Sequence, residues 1–257
     1  MPLATSRPDD PAPSEGPPVS ESRPFSIGMV LFEGMTQLDL TGPYEVLARM
    51  PGARVCLVAS SLAPVRTEWG LTIIPDVSFN DAPPLELLCV PGGWGVDAHL
   101  EDERLLGFLR VRGAHARYVT SVCSGALLLG AAGLLRGYRA TTHWLSLDLL
   151  PLFGAEPVNQ RVVRDRNRIT GAGVTAGIDF ALEVAAELFG TPVAQRIQLA
   201  IEYRPDPPFA SGSPHDAPGE VLQAVVNASA DALARRRAIV ERISIMPPPD
   251  SMTSSQA

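Results

Sequence analysis

Ser121-Val122-Cys123-Ser124-Gly125 is the stretch on which the fold reading turns. It follows the apolar run Tyr118-Val119-Thr120 and opens Ala126-Leu127-Leu128-Leu129-Gly130-Ala131-Ala132, small and apolar residues of helical character. A cysteine at such a strand-to-helix turn meets free backbone N–H groups and the positive end of the helix dipole. Both favour negative charge and draw a thiol pKa of roughly 8.5 toward neutrality. A nucleophile belongs in such a place. The same cysteine also reads as a buried small hydrophobe, the usual role of an unpaired thiol.

Outward from that turn, strand-like and helix-like stretches alternate. Phe25 to Phe32 reads as a central strand, and Pro43 to Arg49 as a helix started at Thr41-Gly42-Pro43. Strands follow near 54–59 and 86–90, then a helix from Arg104 to Ala114, then the 117–122 strand with its helix. That order predicts an α/β fold with a mostly parallel sheet covered on both faces. Gln160 to Thr170 reads as a hairpin turning at Asp165 to Asn167; Gly177 to Phe189 as an amphipathic helix; Pro192 to Tyr203 as another; Gly219 to Ile243 as the last. Residues 1–24, rich in Pro, Ser, Asp and Glu, have too little to bury to offset the entropy of ordering, and read as a disordered tail. Residues 247–257 have the same character, which leaves 25–246 as one domain.

Composition narrows the chemistry. The 257 residues are 46% hydrophobic, enough for a substantial core. No apolar run reaches the ~18 to 20 residues of a membrane span, and no basic segment with an apolar core opens the chain, so a cytoplasmic protein without a membrane partner is expected. A net charge of −7 repels nucleic acid, and the arginine clusters at 161–168 and 235–237 are short and lack interleaved aromatics. All 21 basic residues are arginine, so there is no lysine for Schiff-base chemistry or a phosphate loop. Cys56, Cys89 and Cys123 show no Cys-x-x-Cys spacing, and His99, His115, His143 and His215 are scattered, so neither a disulfide framework nor a metal site is expected. Cys56 and Cys89 lie in apolar runs and read as packing residues of buried strands.

Ligands of open parallel sheets bind beyond the carboxyl ends of the strands, and three polar features fall there. Cys123 is the first. Asp39, in Gln37-Leu38-Asp39-Leu40-Thr41-Gly42-Pro43, lies between the first strand and the first helix. It reads as an ordinary helix-start residue, or as a carboxyl whose apolar flanks keep or share a proton, as a general acid beside a thiolate requires. The third is Pro91-Gly92-Gly93-Trp94-Gly95, either a plain turn or a backbone that brings N–H groups close to a reacting atom. A rival signal, Gly171-Ala172-Gly173-Val174-Thr175-Ala176, fits a dinucleotide fingerprint, yet the helix it opens is followed by Thr191-Pro192 and another helix where a strand ending in an acid is required.

These residues resemble the ThiJ/PfpI superfamily, and within it the isocyanide hydratase branch. The likeness is carried by the stretches around Asp39, Gly92-Gly93 and Cys123. Gly130 to Leu135, Arg139-Ala140-Thr141-Thr142-His143-Trp144, Thr175 to Leu182 and Ala185 to Phe189 extend it over nearly the whole of 25–243. The resemblance implies a flavodoxin-like three-layer sandwich, with Cys123 as nucleophile at a strand-to-helix elbow and Asp39 as its acidic partner. Ser124 stands where the branch commonly has Thr, which keeps a hydroxyl; protease-like relatives have His there, so peptidase activity is disfavoured. Val174 stands where Ile is typical, which trims a contact.

The implied reaction is hydration of an isocyanide to an N-substituted formamide through a Cys123 thioimidate, with Asp39 moving the proton and the N–H groups of Gly93 and Ser124 steadying charge. No cofactor or metal is needed. The resemblance also implies a homodimer, for which Leu127 and Leu128 offer apolar surface. Three other readings stay open: a glyoxalase or deglycase of the same superfamily, a ligand-sensing domain, and a redox sensor.

Overall fold

The computed structural model describes residues 24–245. The expected tails at 1–24 and 247–257 lie outside that span, apart from Pro24. Eleven strands run in chain order as β1 (Phe25–Val30), β2 (Ala53–Ala59), β3 (Val65–Arg66), β4 (Thr72–Ile73), β5 (Val77–Ser78), β6 (Leu87–Val90), β7 (Tyr118–Val122), β8 (Arg139–Ala140), β9 (Glu156–Pro157), β10 (Val162–Asp165) and β11 (Arg168–Gly171). The helices are α1 (Gln37–Leu47), α2 (Val96–His99), α3 (Glu103–His115), α4 (Gly125–Ala131), α5 (Ala176–Phe189), α6 (Thr191–Ala200) and α7 (Gly219–Ser244), with a 3-10 segment at Trp144–Phe153.

Seven strands form one sheet in the order β10-β11-β7-β6-β1-β2-β5. All neighbours are parallel except the β10–β11 hairpin, the unit expected from the polar turn at 165–167. The central strands β6 and β7 are buried along their whole length, as continuous apolar runs require when both faces of a parallel sheet are covered. Helices flank the sheet: α1, α5 and α6 pack together, while α4 packs with α3, the 3-10 segment and α7. This is the α/β flavodoxin-like sandwich.

Three expectations are corrected. The first helix begins at Gln37, so Asp39 sits in its first turn and Pro43 lies inside it. A proline there removes one backbone bond, and tertiary packing compensates: Pro43 and Gly42 lie against Gly177 and Ile178 of α5 in a close helix crossing. Leu127 and Leu128 are fully buried within their own chain, so they offer nothing to a second copy; any self-association uses another face. Cys56 is only half-buried because β2 lies near the sheet edge. Among the described residues no helix is long and apolar enough to cross a membrane.

Candidate active site

Cys123 follows the last residue of β7 and precedes α4, with φ 56°, a left-handed conformation that a side chain adopts only when its surroundings enforce it. The enforcement is visible. Its N–H donates to the carbonyls of Gly171 at 3.1 Å and Ala172 at 2.7 Å, and its own carbonyl accepts from the Thr142 hydroxyl at 2.8 Å. The glycine-rich segment that imitates a dinucleotide loop therefore serves as a clamp on the elbow.

Asp39 is completely buried. The Gly92 N–H donates to its Oδ2 at 2.9 Å, while Oδ1 has no well-formed hydrogen bond; Cys123 is the thiol on which the carboxyl acts. Burial pushes the Asp39 pKa from 3.8 to about 7, opposed by the bonds from Gly92 and Cys123 and reinforced by the Glu68 charge. Burial also pushes the Cys123 thiol up, and the Asp39 charge adds to it; the Ser124 amide and hydroxyl work in the other direction. The expectation of a thiol drawn toward neutrality is thus corrected for the ligand-free protein: desolvation outweighs the helix start. Carboxyl and thiol titrate as a pair.

Gly92 and Gly93 make this closeness possible. A Cβ at Gly92 would overlap the Ser124 amide, and Gly93, at φ 130°, lies against the backbone of Thr36 and Gly34. Their N–H groups are not free for a reacting atom. That of Gly92 serves Asp39, and that of Gly93 donates to Ser124 Oγ at 3.0 Å, so the pair supports the site and does not line an oxyanion hole. Ser124 Oγ donates in turn to the Gly93 carbonyl at 3.2 Å.

A cavity of about 120 Å³ opens beside the sulfur. Its apolar wall is Trp94, Leu145 and Val174; its polar wall includes Glu68, His143 and Arg236, none of which the sequence singled out. Glu68 is held by the Thr36 hydroxyl at 2.8 Å and the Trp94 N–H at 3.2 Å. His143 Nδ1 accepts from the Leu145 N–H at 3.3 Å, which assigns the ring proton to Nε2, and burial together with the Arg236 charge lowers its pKa, so the ring is a neutral donor. Arg236 belongs to the buried stripe of α7 with Ser229 and Val240. An arginine in a stripe of that spacing is the signal that could have found it. Among the described residues no cluster of three or more His, Cys, Asp or Glu side chains is placed to hold a metal ion.

The site thus combines a strained cysteine, a buried carboxyl with a pKa of about 7 and a small cavity: the parts needed to add sulfur and a proton to an electrophilic carbon. Similarity to known proteins gives the family. The pattern of the DJ-1/PfpI family matches residues 25–187. Isonitrile hydratase of Pseudomonas putida is 55% identical over 218 residues, covering 85% of this chain and 96% of that one. A solved ThiJ/PfpI family protein from Pseudomonas syringae superposes with a TM-score of 0.83 at 46% identity, covering 90% of this chain and 98% of that one. The transcriptional regulator GbdR of Pseudomonas aeruginosa is 30% identical over 196 residues, which cover 73% of this chain and 53% of the regulator.

Proposed function

The chain belongs to the DJ-1/PfpI family, on its isonitrile hydratase branch, and from that premise we propose that it hydrates an isonitrile to an N-substituted formamide with Cys123 as nucleophile. The 55% identity to isonitrile hydratase, over nearly the whole of that relative, carries the substrate assignment. The pairing of Cys123 with Asp39 supports the mechanism.

Sulfur bonds to the terminal carbon of R–NC while the thiol proton, passed through Asp39, reaches the same carbon. The product is a thioimidate, R–N=CH–S–Cys123. Water then adds to that carbon, giving one proton by way of Asp39 to nitrogen; the C–S bond breaks, R–NH–CHO leaves and the thiol is restored. A carboxyl with a pKa of about 7 both gives and takes a proton near neutrality, as this two-way traffic requires. The cavity is small, which favours compact R groups or ones that extend past Trp94 to solvent.

The experiment is to mix the protein with an aryl isonitrile, follow formamide by chromatography, and search for the thioimidate mass on the Cys123 peptide. Formamide without a Cys123 adduct rejects the covalent path. No formamide from any isonitrile rejects the activity, and the likeness to GbdR then favours ligand sensing.

A further inference from the structure

The proposed reaction assigns Cys123 to the carbon and Asp39 to the proton, and it leaves the water without a holder. Two side chains on the wall of the Cys123 cavity fit that task, His143 as a donor and Glu68 as an acceptor. His143 is fastened beside the elbow. The hydroxyl of the preceding Thr142 donates to the Cys123 carbonyl at 2.8 Å, and the ring edge lies against Gly173, where a Cβ would meet Cδ2 at 3.4 Å and Nε2 at 3.9 Å. Gly173 adjoins Ala172, whose carbonyl accepts the Cys123 N–H.

The ring is fixed in direction as well. Its Nδ1 accepts from the Leu145 N–H, which commits the one ring proton to Nε2. Among the described residues Nε2 meets no acceptor, and it is not sealed from water. Arg236, another donor of the wall, is 4% exposed and tied to three groups: Nε to Asp97 of α2, Nη1 to Ser146 Oγ at 3.1 Å and Nη2 to the carbonyl of Gly93 at 3.3 Å. Its charge and burial keep the His143 ring neutral. Glu68 Oε1 accepts from the Thr36 hydroxyl and Oε2 from the Trp94 N–H, so the carboxyl is held in place while each oxygen keeps a further lone pair.

A buried water needs about two to four polar partners and takes up roughly 30 Å³. A cavity of about 120 Å³ holds few molecules of that size, so a donor and an acceptor on its wall act on the same ones. The isonitrile group has no hydrogen for a carboxyl to accept; water has two. We propose that His143 and Glu68 hold the hydrolytic water, Nε2–H donating to its oxygen and the Glu68 carboxyl accepting one of its hydrogens. The oxygen bonds to the thioimidate carbon while one water hydrogen goes to nitrogen, which gives R–NH–CH(OH)–S–Cys123. The hydroxyl proton then passes to sulfur as the C–S electron pair returns there, and the new C=O forms with its oxygen still on Nε2. A fixed water shortens the search for the attacking geometry. This assignment rests on the thioimidate route proposed above and makes His143 a catalytic residue of its second half.

The test separates the two halves of the reaction. The full chain is mixed with an aryl isonitrile and sampled by rapid-mixing mass spectrometry, so that the fraction carrying the thioimidate is read beside the formamide released. His143→Asn keeps an acceptor for the Leu145 N–H but ends short of Nε2, and His143→Gln returns an amide donor near that position. His143→Asn and Glu68→Gln are expected to form the adduct at the wild-type rate and to break it down about tenfold more slowly, the upper worth of one hydrogen bond. The adduct therefore accumulates. His143→Gln is expected to recover part of the loss.

Breakdown at the wild-type rate in His143→Asn overturns the assignment, and so does a variant slowed only in forming the adduct. A melting curve accompanies each protein. Should His143→Asn fail to fold, Glu68→Gln, on a different part of the chain, carries the same expectation and the same refutation. The outcomes also separate the two proposals. A wild type that gives neither adduct nor formamide rejects the activity, and the water site with it. One that hydrates isonitriles through the adduct while both variants release formamide normally keeps the activity and loses His143 and Glu68.

Discussion

Cys89 lies inside β6 and Cys123 one residue past the end of β7, neighbouring strands of the same sheet. Both thiols are free and buried, and in both burial is the largest cause of a raised pKa, to about 12 for Cys89. Their surroundings differ. Cys89 has regular strand backbone and Thr120 directly opposite in register. Cys123 has a left-handed backbone, a buried carboxyl whose pKa is raised to about 7, and open space beside its sulfur. Burial makes a thiol inert; strain, a proton partner and room for a substrate are what separate a site from a core residue.

The largest test of that contrast is Cys123→Ala. The protein is expected to fold and to lose all turnover, because Cys123 is the one thiol among the residues that line the cavity. Retention of more than a few per cent of the rate by formamide assay breaks the contrast at its centre. Next comes Asp39→Asn, with two effects of opposite sense. Turnover is expected to fall by roughly 10² or more, the usual worth of a general acid–base group. Thiol alkylation is expected to shift to lower pH, since the carboxylate charge is one of the causes holding the thiol up.

The same substitution should change stability with pH. The folded-state pKa of Asp39 is raised from 3.8 to about 7, so its protonated form is preferred in the fold. Its contribution is complete below about pH 4 and is lost as pH rises through 7, amounting to about 4 kcal/mol at the limit. Asp39→Asn is therefore expected to gain on wild type in melting temperature between pH 4 and 8. A difference that stays flat across that window means the carboxyl is ionised in the fold from the start.

Ser124→Ala is expected to cost about fivefold in turnover, one hydroxyl hydrogen bond. Cys89→Ala sharpens the contrast from the other side: a loss of about 1 kcal/mol in denaturant unfolding with the rate retained. Cys56→Ala should cost less again, since Cys56 is half-buried. A stable but inactive Cys89→Ala protein would transfer the nucleophile to β6.

Leu87 to Val90 and Tyr118 to Val122 could be read as buried parallel strands because their apolar character is local and continuous. The start of α1 could not. Gly42 and Pro43 are helix-breaking by themselves, and they sit in a helix only because Gly177 and Ile178 of α5 pack on them from far along the chain. The 3-10 segment at Trp144–Phe153 is interrupted by Pro151 and alternates apolar and polar residues over Leu145 to Leu149, a strand-like period that hides its helical form. Cys123 and Asp39 were legible because turn chemistry and a charge among leucines are written in adjacent residues. Arg236 was hidden among the four arginines of α7: its place in the stripe with Ser229 and Val240 is the local mark, and Asp97, 139 positions away, supplies its counter-charge. Glu68 and His143 likewise become site residues only by convergence.

The bond from Arg236 to Gly93 spans 143 positions, and it has a consequence for the order of biosynthesis. A ribosome adds roughly 5 to 20 residues per second, and the amino-terminal part of a domain is made first. The sheet, the elbow and Asp39 are all present before α7 is translated. A nascent or prematurely terminated chain that stops short of residue 236 thus carries the thiol and Asp39 without the guanidinium that lines the cavity. In such a chain the cavity lacks part of its wall, so the site is completed only when the last helix is made.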